Sequence, residues 1–145
     1  MERVQFVKLS EKAIVPSYGS TCAAGADLYA CTDQTVSIRP GETVIIHTGI
    51  ALQLPDGLVG LIYARSGIAT KRGLAPANKV GVIDSDYRGE LMVALYNQSE
   101  EVREIGNGER IAQLLLIPYI TADFREVSAL EDTARGDGGF GSTGK

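Results

Sequence analysis

The chain has 145 residues, 44% of them hydrophobic and 22% charged, with a formal net charge of −4 and a pI near 5.0. That length and balance predict one domain whose core needs no disulfide or metal staple. They leave no broad basic field for a nucleic-acid backbone; no apolar run approaches a membrane span, and the opening MERVQFVKLSEK lacks the h-region of a signal peptide, so neither nucleic acid nor membrane is expected as a partner.

From the N-terminus onward the pattern is short and β-like. VQFVKL (4–9), GADLYA (25–30), TVSIRP (35–40), ETVIIHT (42–48), LVGLIYA (58–64), ELMVALYN (90–97) and RIAQLLLI (110–117) read as strands, rich in Val, Ile, Leu and Tyr. Arg39-Pro40-Gly41, Leu54-Pro55-Asp56-Gly57 and Gly106-Asn107-Gly108 punctuate them as turns. Strands at this spacing predict an all-β jelly-roll-like sandwich or barrel. One helix is expected, SGIATKR (66–72), with Ser66 as its cap and Gly73 as its stop. Residues 1–128 form the expected body, and 129–145 a polar connector followed by a flexible Gly-rich C-terminal arm, mobile without a ligand or partner subunit.

Cys22 and Cys31 have no C-x-x-C spacing and no second pair for a zinc site, so free thiols in a reducing cytoplasm are expected. His47 is the only histidine and sits in a strand pattern, which excludes multi-histidine metal sites. Asn97-Gln98-Ser99 matches a glycosylation sequon, a match without meaning in a chain that is not secreted.

IDSDYRGE (83–90) opens like a calcium loop, but Arg88 occupies the fifth ligand position and Leu95 the twelfth, where a bidentate glutamate belongs. A turn made by Asp84-Ser85-Asp86 between KVGVI and GELMVALYN, paired as a hairpin, is the better reading. Tyr87 and Arg88 then place aromatic, cationic and anionic groups side by side, a combination suited to a sugar–phosphate. In YARSGIATKRG (63–73), Arg65 and Ser66 open the helix, where free N–H groups favour an anion. A capped helix with solvated cations accounts for that segment equally well. Gln113 and Asp27 are polar residues within apolar strands and need partners if buried.

The tail RGDGGFGSTGK (135–145) spells most of a P-loop in its last seven residues, but a P-loop needs a preceding strand and a following helix. Five of its eleven residues are glycine, and it builds no core.

AGADLYA, ARSG, NKVGVIDSDYRGE, GERIAQL and RGDGGFGSTG together resemble the five ordered motifs of the trimeric dUTP pyrophosphatases (dUTPases), from Ala24 to Gly144. The resemblance implies a jelly-roll homotrimer with shared active sites, hydrolysing dUTP to dUMP and pyrophosphate with Mg²⁺, keeping uracil out of DNA and supplying dUMP for dTMP synthesis. Asp84 would be the general base for water attacking the α-phosphorus, and Tyr87 would pack on the deoxyribose. The main chain of Gly81, Val82 and Ile83 up to Tyr87, with the Asn78 side chain, would read uracil. Arg65, Ser66, Gly67 and Gln113 would hold phosphates, with Asp27 and Arg110 supporting them. Phe140 would stack on uracil as an arm crosses from a neighbouring subunit, while Arg135, Gly141, Ser142 and Thr143 would meet phosphates. No direct protein metal ligand is implied, because the phosphates and water would hold Mg²⁺. Ala26 and Cys22 depart from common family residues without touching an inferred role. The related dCTP deaminases carry a catalytic glutamate where this chain has Ala94, so deamination would lack its proton shuttle.

Overall fold

The structure, a computed structural model, describes residues 3–139. Its strands are β1 (Gln5–Lys8), β2 (Ser17–Tyr18), β3 (Ala26–Tyr29), β4 (Val36–Ile38), β5 (Thr43–Gln53), β6 (Leu58–Tyr63), β7 (Leu74–Pro76), β8 (Gly81–Ile83), β9 (Glu90–Asn97), β10 (Arg103–Ile105) and β11 (Arg110–Pro118), with one helix, α1 (Ser66–Arg72). A four-stranded sheet runs β1-β5-β9-β7, a five-stranded sheet β2-β3-β11-β6-β8, and β10 pairs with β4. Every pairing is antiparallel. The fold is the expected jelly-roll-like sandwich.

Period-2 alternation explains why the sheets face each other. On β9, Leu91, Val93, Leu95 and Asn97 are buried while Met92 faces outward. Ile46 and Ile50 from β5 join Leu28, Ile62, Ile111 and Leu114 from the opposing sheet in one core. Asn97 is fully buried and satisfied: Nδ2 donates to the Ile38 and Glu101 carbonyls, and Oδ1 accepts from the Ser99 N–H and hydroxyl. The sequon asparagine is therefore a core hydrogen-bond hub.

Three expectations change. β8 and β9 do not pair as a hairpin: β8 bonds to β6, and β9 lies between β5 and β7 in the other sheet. The Asp84 turn is thus a corner between sheets, because each flanking strand finds a longer partner elsewhere. The helix cap is Arg65, extended at φ −90° and ψ 137°, with no side-chain cap bond, rather than Ser66. Gly73 does end the helix, at φ 66°. Finally, β5 runs on to Gln53, and the short β2, β7 and β10 carry too few residues to show a period.

The long β5 bends through a bulge. Its register with β9 passes from His47↔Met92 to Ala51↔Glu90, so Thr48, Gly49 and Ile50 face Leu91 alone. Gly49 has φ +67°, and a Cβ there would lie 2.8 Å from the Ala13 Cβ and 3.0 Å from the Cys31 Sγ. Side chains replace the missing ladder: the Thr48 hydroxyl donates to the Leu91 carbonyl at 2.7 Å, and the Gly49 N–H donates to Glu90 Oε1 at 2.7 Å. Among the described residues regular structure ends at Pro118, and Ile120, Phe124 and Leu130 beyond it are 96%, 94% and 87% exposed.

Candidate functional site

Three adjacent strands assemble the first half of the site. Gln113 on β11 stands opposite Asp27 on β3 and Tyr63 on β6. The chain leaves β6 through Ala64, whose carbonyl accepts from Gln113 Nε2 at 2.9 Å. Arg65 follows, and its Nε donates to Asp27 Oδ1 at 2.6 Å. Arg110 Nη1 lies 3.4 Å from the other carboxylate oxygen. Asp27 is buried, and burying an ion pair stabilises little in itself. Its effect is to orient a guanidinium whose remaining N–H groups bond nothing among the described residues. Two arginines against one buried carboxylate leave local positive charge in an acidic chain.

Arg65, Ser66, Gln113, Asp27 and Arg110 share a cavity of about 270 Å³ with Ser20. Gly67 opens onto an adjoining cleft that also touches Arg65 and Arg110. The polar residues in apolar strands are thus paired and face a single anion-sized space. Ser20 and Gly25 belong to the same wall, yet nothing in their surrounding TCAAG pattern distinguishes them from turn residues.

The second half lies around the sheet corner. Lys79 holds φ 65° while the Val80 N–H donates to the Asn78 carbonyl at 2.7 Å, a positive-φ γ-turn that feeds the chain into β8. Gly81 packs against Ile62, where a Cβ would lie 3.2 Å from that residue's Cβ. After Ile83 the Tyr87 N–H closes a turn on the Asp84 carbonyl at 3.2 Å. Arg88 Nη1 donates to the Ser85 and Tyr87 carbonyls and holds that turn. The Tyr87 ring lies across Gly89, where a Cβ would come within 2.9 Å of Cε2, and its hydroxyl donates to the Glu90 carbonyl at 3.1 Å.

Val82, Ile83, Asp84 and Tyr87 line a cavity of about 160 Å³ with Glu90 and Met92. Asp84 is exposed, and no side chain among the described residues bonds its carboxylate. Glu90 is anchored instead. Burial would raise its carboxyl above the ordinary value, but bonds from His47 and the Gly49 N–H outweigh that and hold it lower. The role of Glu90 was invisible in the sequence, since its carboxylate answers a bulge on another strand.

The two halves do not meet within one chain. Ile83 stands opposite Gly60, so Asp84 falls level with Val59, while Arg65 and Ser66 lie past the far end of β6. Six residues of extended chain separate Val59 from Arg65, about 20 Å at the strand rise. Arg135 is exposed and, among the described residues, its side chain bonds only within its own segment, Nε to the Gly138 carbonyl. Phe140, Gly141, Ser142 and Thr143 lie outside the described residues.

Among the described residues no group of three His, Cys, Asp or Glu side chains could hold a metal, and no helix is long and apolar enough to cross a membrane. Asp27 has both oxygens committed to arginines, whereas the Asp84 carboxylate that lines the second cavity has no partner among the described residues.

Comparison with known proteins bears on this arrangement. The family model described as dUTPase matches residues 11–144. A deoxyuridine 5'-triphosphate nucleotidohydrolase of Desulfitobacterium hafniense is 48% identical over 143 residues, 98% of this chain and 95% of that protein. One from Acinetobacter baumannii is 45% identical over 139 residues, 95% and 93% of the two chains. Among solved structures, the Staphylococcus bacteriophage 80alpha dUTPase with dUPNHPP superposes with a TM-score of 0.87 at 29% identity, covering 100% of both chains. The phage phi11 dUTPase gives 0.80 at 27% identity, covering 91% of this chain and 100% of that one.

Proposed function

The chain belongs to the dUTPase family and is a dUTP diphosphatase, and from that premise we propose how its residues hydrolyse dUTP to dUMP and pyrophosphate. Asp84 orients a water molecule against the α-phosphorus and takes its proton. A carboxylate with no competing partner, on a turn braced by Arg88, suits that role. Tyr87 packs against the deoxyribose and leaves no room for a 2′-hydroxyl. The main chain from Gly81 through Val82 and Ile83 to Tyr87, with the Asn78 side chain, reads the uracil edge. Arg65, Ser66, Gly67 and Gln113 hold phosphates, with Arg65 aimed by Asp27 and Arg110 beside it. Arg135, Phe140, Gly141, Ser142 and Thr143 close over the nucleotide as an arm.

The observation that carries this reading is the division of the site. Asp84 must act on an α-phosphorus joined through bridging oxygens to the phosphates that Arg65, Ser66 and Gln113 hold, yet the chain places them about 20 Å apart on opposite ends of β6. Two copies supply the two halves, and we propose the homotrimer as the assembly that brings them together. The exposed Ile120, Phe124 and Leu130 suit a segment that leaves its own body for a neighbour.

The free Asp84 carboxylate also fits a Mg²⁺ held mainly by the substrate phosphates and water, where the ion would neutralise charge on the phosphoryl oxygens. The residues of the chain then do the positioning, which is most of the work in phosphoryl transfer. Two unpaired cysteines suit a cytoplasmic location.

The test is Asp84→Asn. Hydrolysis of dUTP is expected to fall by roughly a thousandfold, the scale of a lost general base, while binding of a non-hydrolysable dUTP analogue persists. Full activity in that variant would remove Asp84 from its role.

A further inference from the structure

Glu90 stands between the β5 bulge and the Tyr87 turn, and it bonds to both. One carboxylate oxygen accepts from the Gly49 N–H at 2.7 Å, the donor that the bulge strips from the sheet ladder. The other lies 2.8 Å from His47 Nδ1. The Glu90 carbonyl accepts the Tyr87 hydroxyl at 3.1 Å. Glu90 also lines the same small cavity as Asp84 and Tyr87. His47 is 56% exposed and the Glu90 side chain 21%, so the imidazole covers the carboxylate from the solvent side.

We propose that Glu90, braced by His47, is a positioning residue that fixes the Tyr87 ring and so sets discrimination against ribose. The proposal rests on the reading that Tyr87 packs on the deoxyribose. Physically, the ring excludes a 2′-hydroxyl only if it cannot retreat. Among the described residues its hydroxyl bonds only the Glu90 carbonyl, and its ring lies on the bare face of Gly89. The carbonyl that receives that bond sits on the first residue of β9, where pairing to β5 is interrupted at once by the bulge. The Glu90 carboxylate closes that interruption, so removing it frees the end of the strand that anchors the ring. A loss of folded protein would lower turnover of every nucleotide alike. A loosened Tyr87 raises UTP turnover relative to dUTP.

The experiment measures kcat/KM for dUTP and UTP in the full-length protein and in Glu90→Ala, Glu90→Gln and Tyr87→Phe. Glutamine keeps an acceptor for Gly49 through Oε1 and sets its amide Nε2 opposite His47 Nδ1, so it is expected to retain the parent ratio. In Glu90→Ala and in Tyr87→Phe the dUTP to UTP ratio is expected to fall about fivefold or more, as for a lost hydrogen bond, mainly through a lower KM for UTP. Should Glu90→Ala not fold, Tyr87→Phe reads the same contact without touching the bulge. A folded Glu90→Ala or Tyr87→Phe with the parent ratio would overturn the proposal. If instead the unmodified protein fails to prefer dUTP to UTP, the assignment of Tyr87 itself is lost, and this inference with it.

Discussion

The chemistry of single residues is decided by which partner each carboxylate finds. Asp27 is committed to Arg65 and Arg110, Asp84 to nothing among the described residues, and Glu90 to His47 and the Gly49 N–H. These environments set apart the proposed organiser, base and brace, which the sequence presents as two acids in β-like segments and one in a turn. Glu90 also has a consequence for acid stability. Its folded value lies below the ordinary 4.5, so the stabilisation is present above that pH and is lost as the pH falls through the lowered value. Asp33, lowered by its bond from Lys12, and Glu42, lowered by its bond from the Arg39 N–H, shift in the same direction, but Asp33 is exposed and Glu42 only half-buried, so solvent screens both. Glu90→Gln is therefore expected to flatten the loss of melting temperature between pH 5 and 3. Parallel melting curves for the variant and the parent across that range would contradict this account.

At the scale of elements, two backbone features carry the site, and each admits few residues. The β5 bulge needs Gly49, both for its positive φ and because a Cβ would press on Ala13 and Cys31. Gly49→Ala is expected to cost about 2–4 kcal/mol, measured by urea unfolding at neutral pH; a cost within error of zero would mean the bulge relaxes freely. The γ-turn before β8 is held by Lys79 at φ 65°. A β-branched residue there, as in Lys79→Val, is expected to lose about 1–2 kcal/mol and to weaken dUTP binding by displacing Gly81 and Asn78. If Lys79→Val keeps both stability and KM, the turn is adaptable. The turn chemistry at Arg39-Pro40-Gly41 and Gly106-Asn107-Gly108 was legible because Gly and Pro signal backbone conformation locally. The bulge was not, because it exists only relative to a partner strand.

For the whole molecule, the proposed division of the site between the ends of β6 predicts that activity is a property of the assembly. A chain ending before Arg135 is expected to fold and assemble as the full chain does, because the last strand among the described residues ends at Pro118, and to lose most activity. Asp84→Asn is expected to be equally inactive. Unfolded and refolded together, the two are expected to regain activity at about a quarter of the sites, the random share that pairs an intact Asp84 with an intact arm from another subunit. Silence from the mixture would place both groups on one chain. The sequence by itself determined the all-β class, most strands, the helix and its glycine stop, and the residues of the five motifs, because alternation, turn residues and motif chemistry are local. Only the tertiary structure decided that Asp84 sits at a corner between sheets rather than in a hairpin, that Asp27 and Gln113 face Arg65, and that Glu90 answers a bulge. Those facts depend on which strands become neighbours, and strand pairing is set by the packing of the whole core.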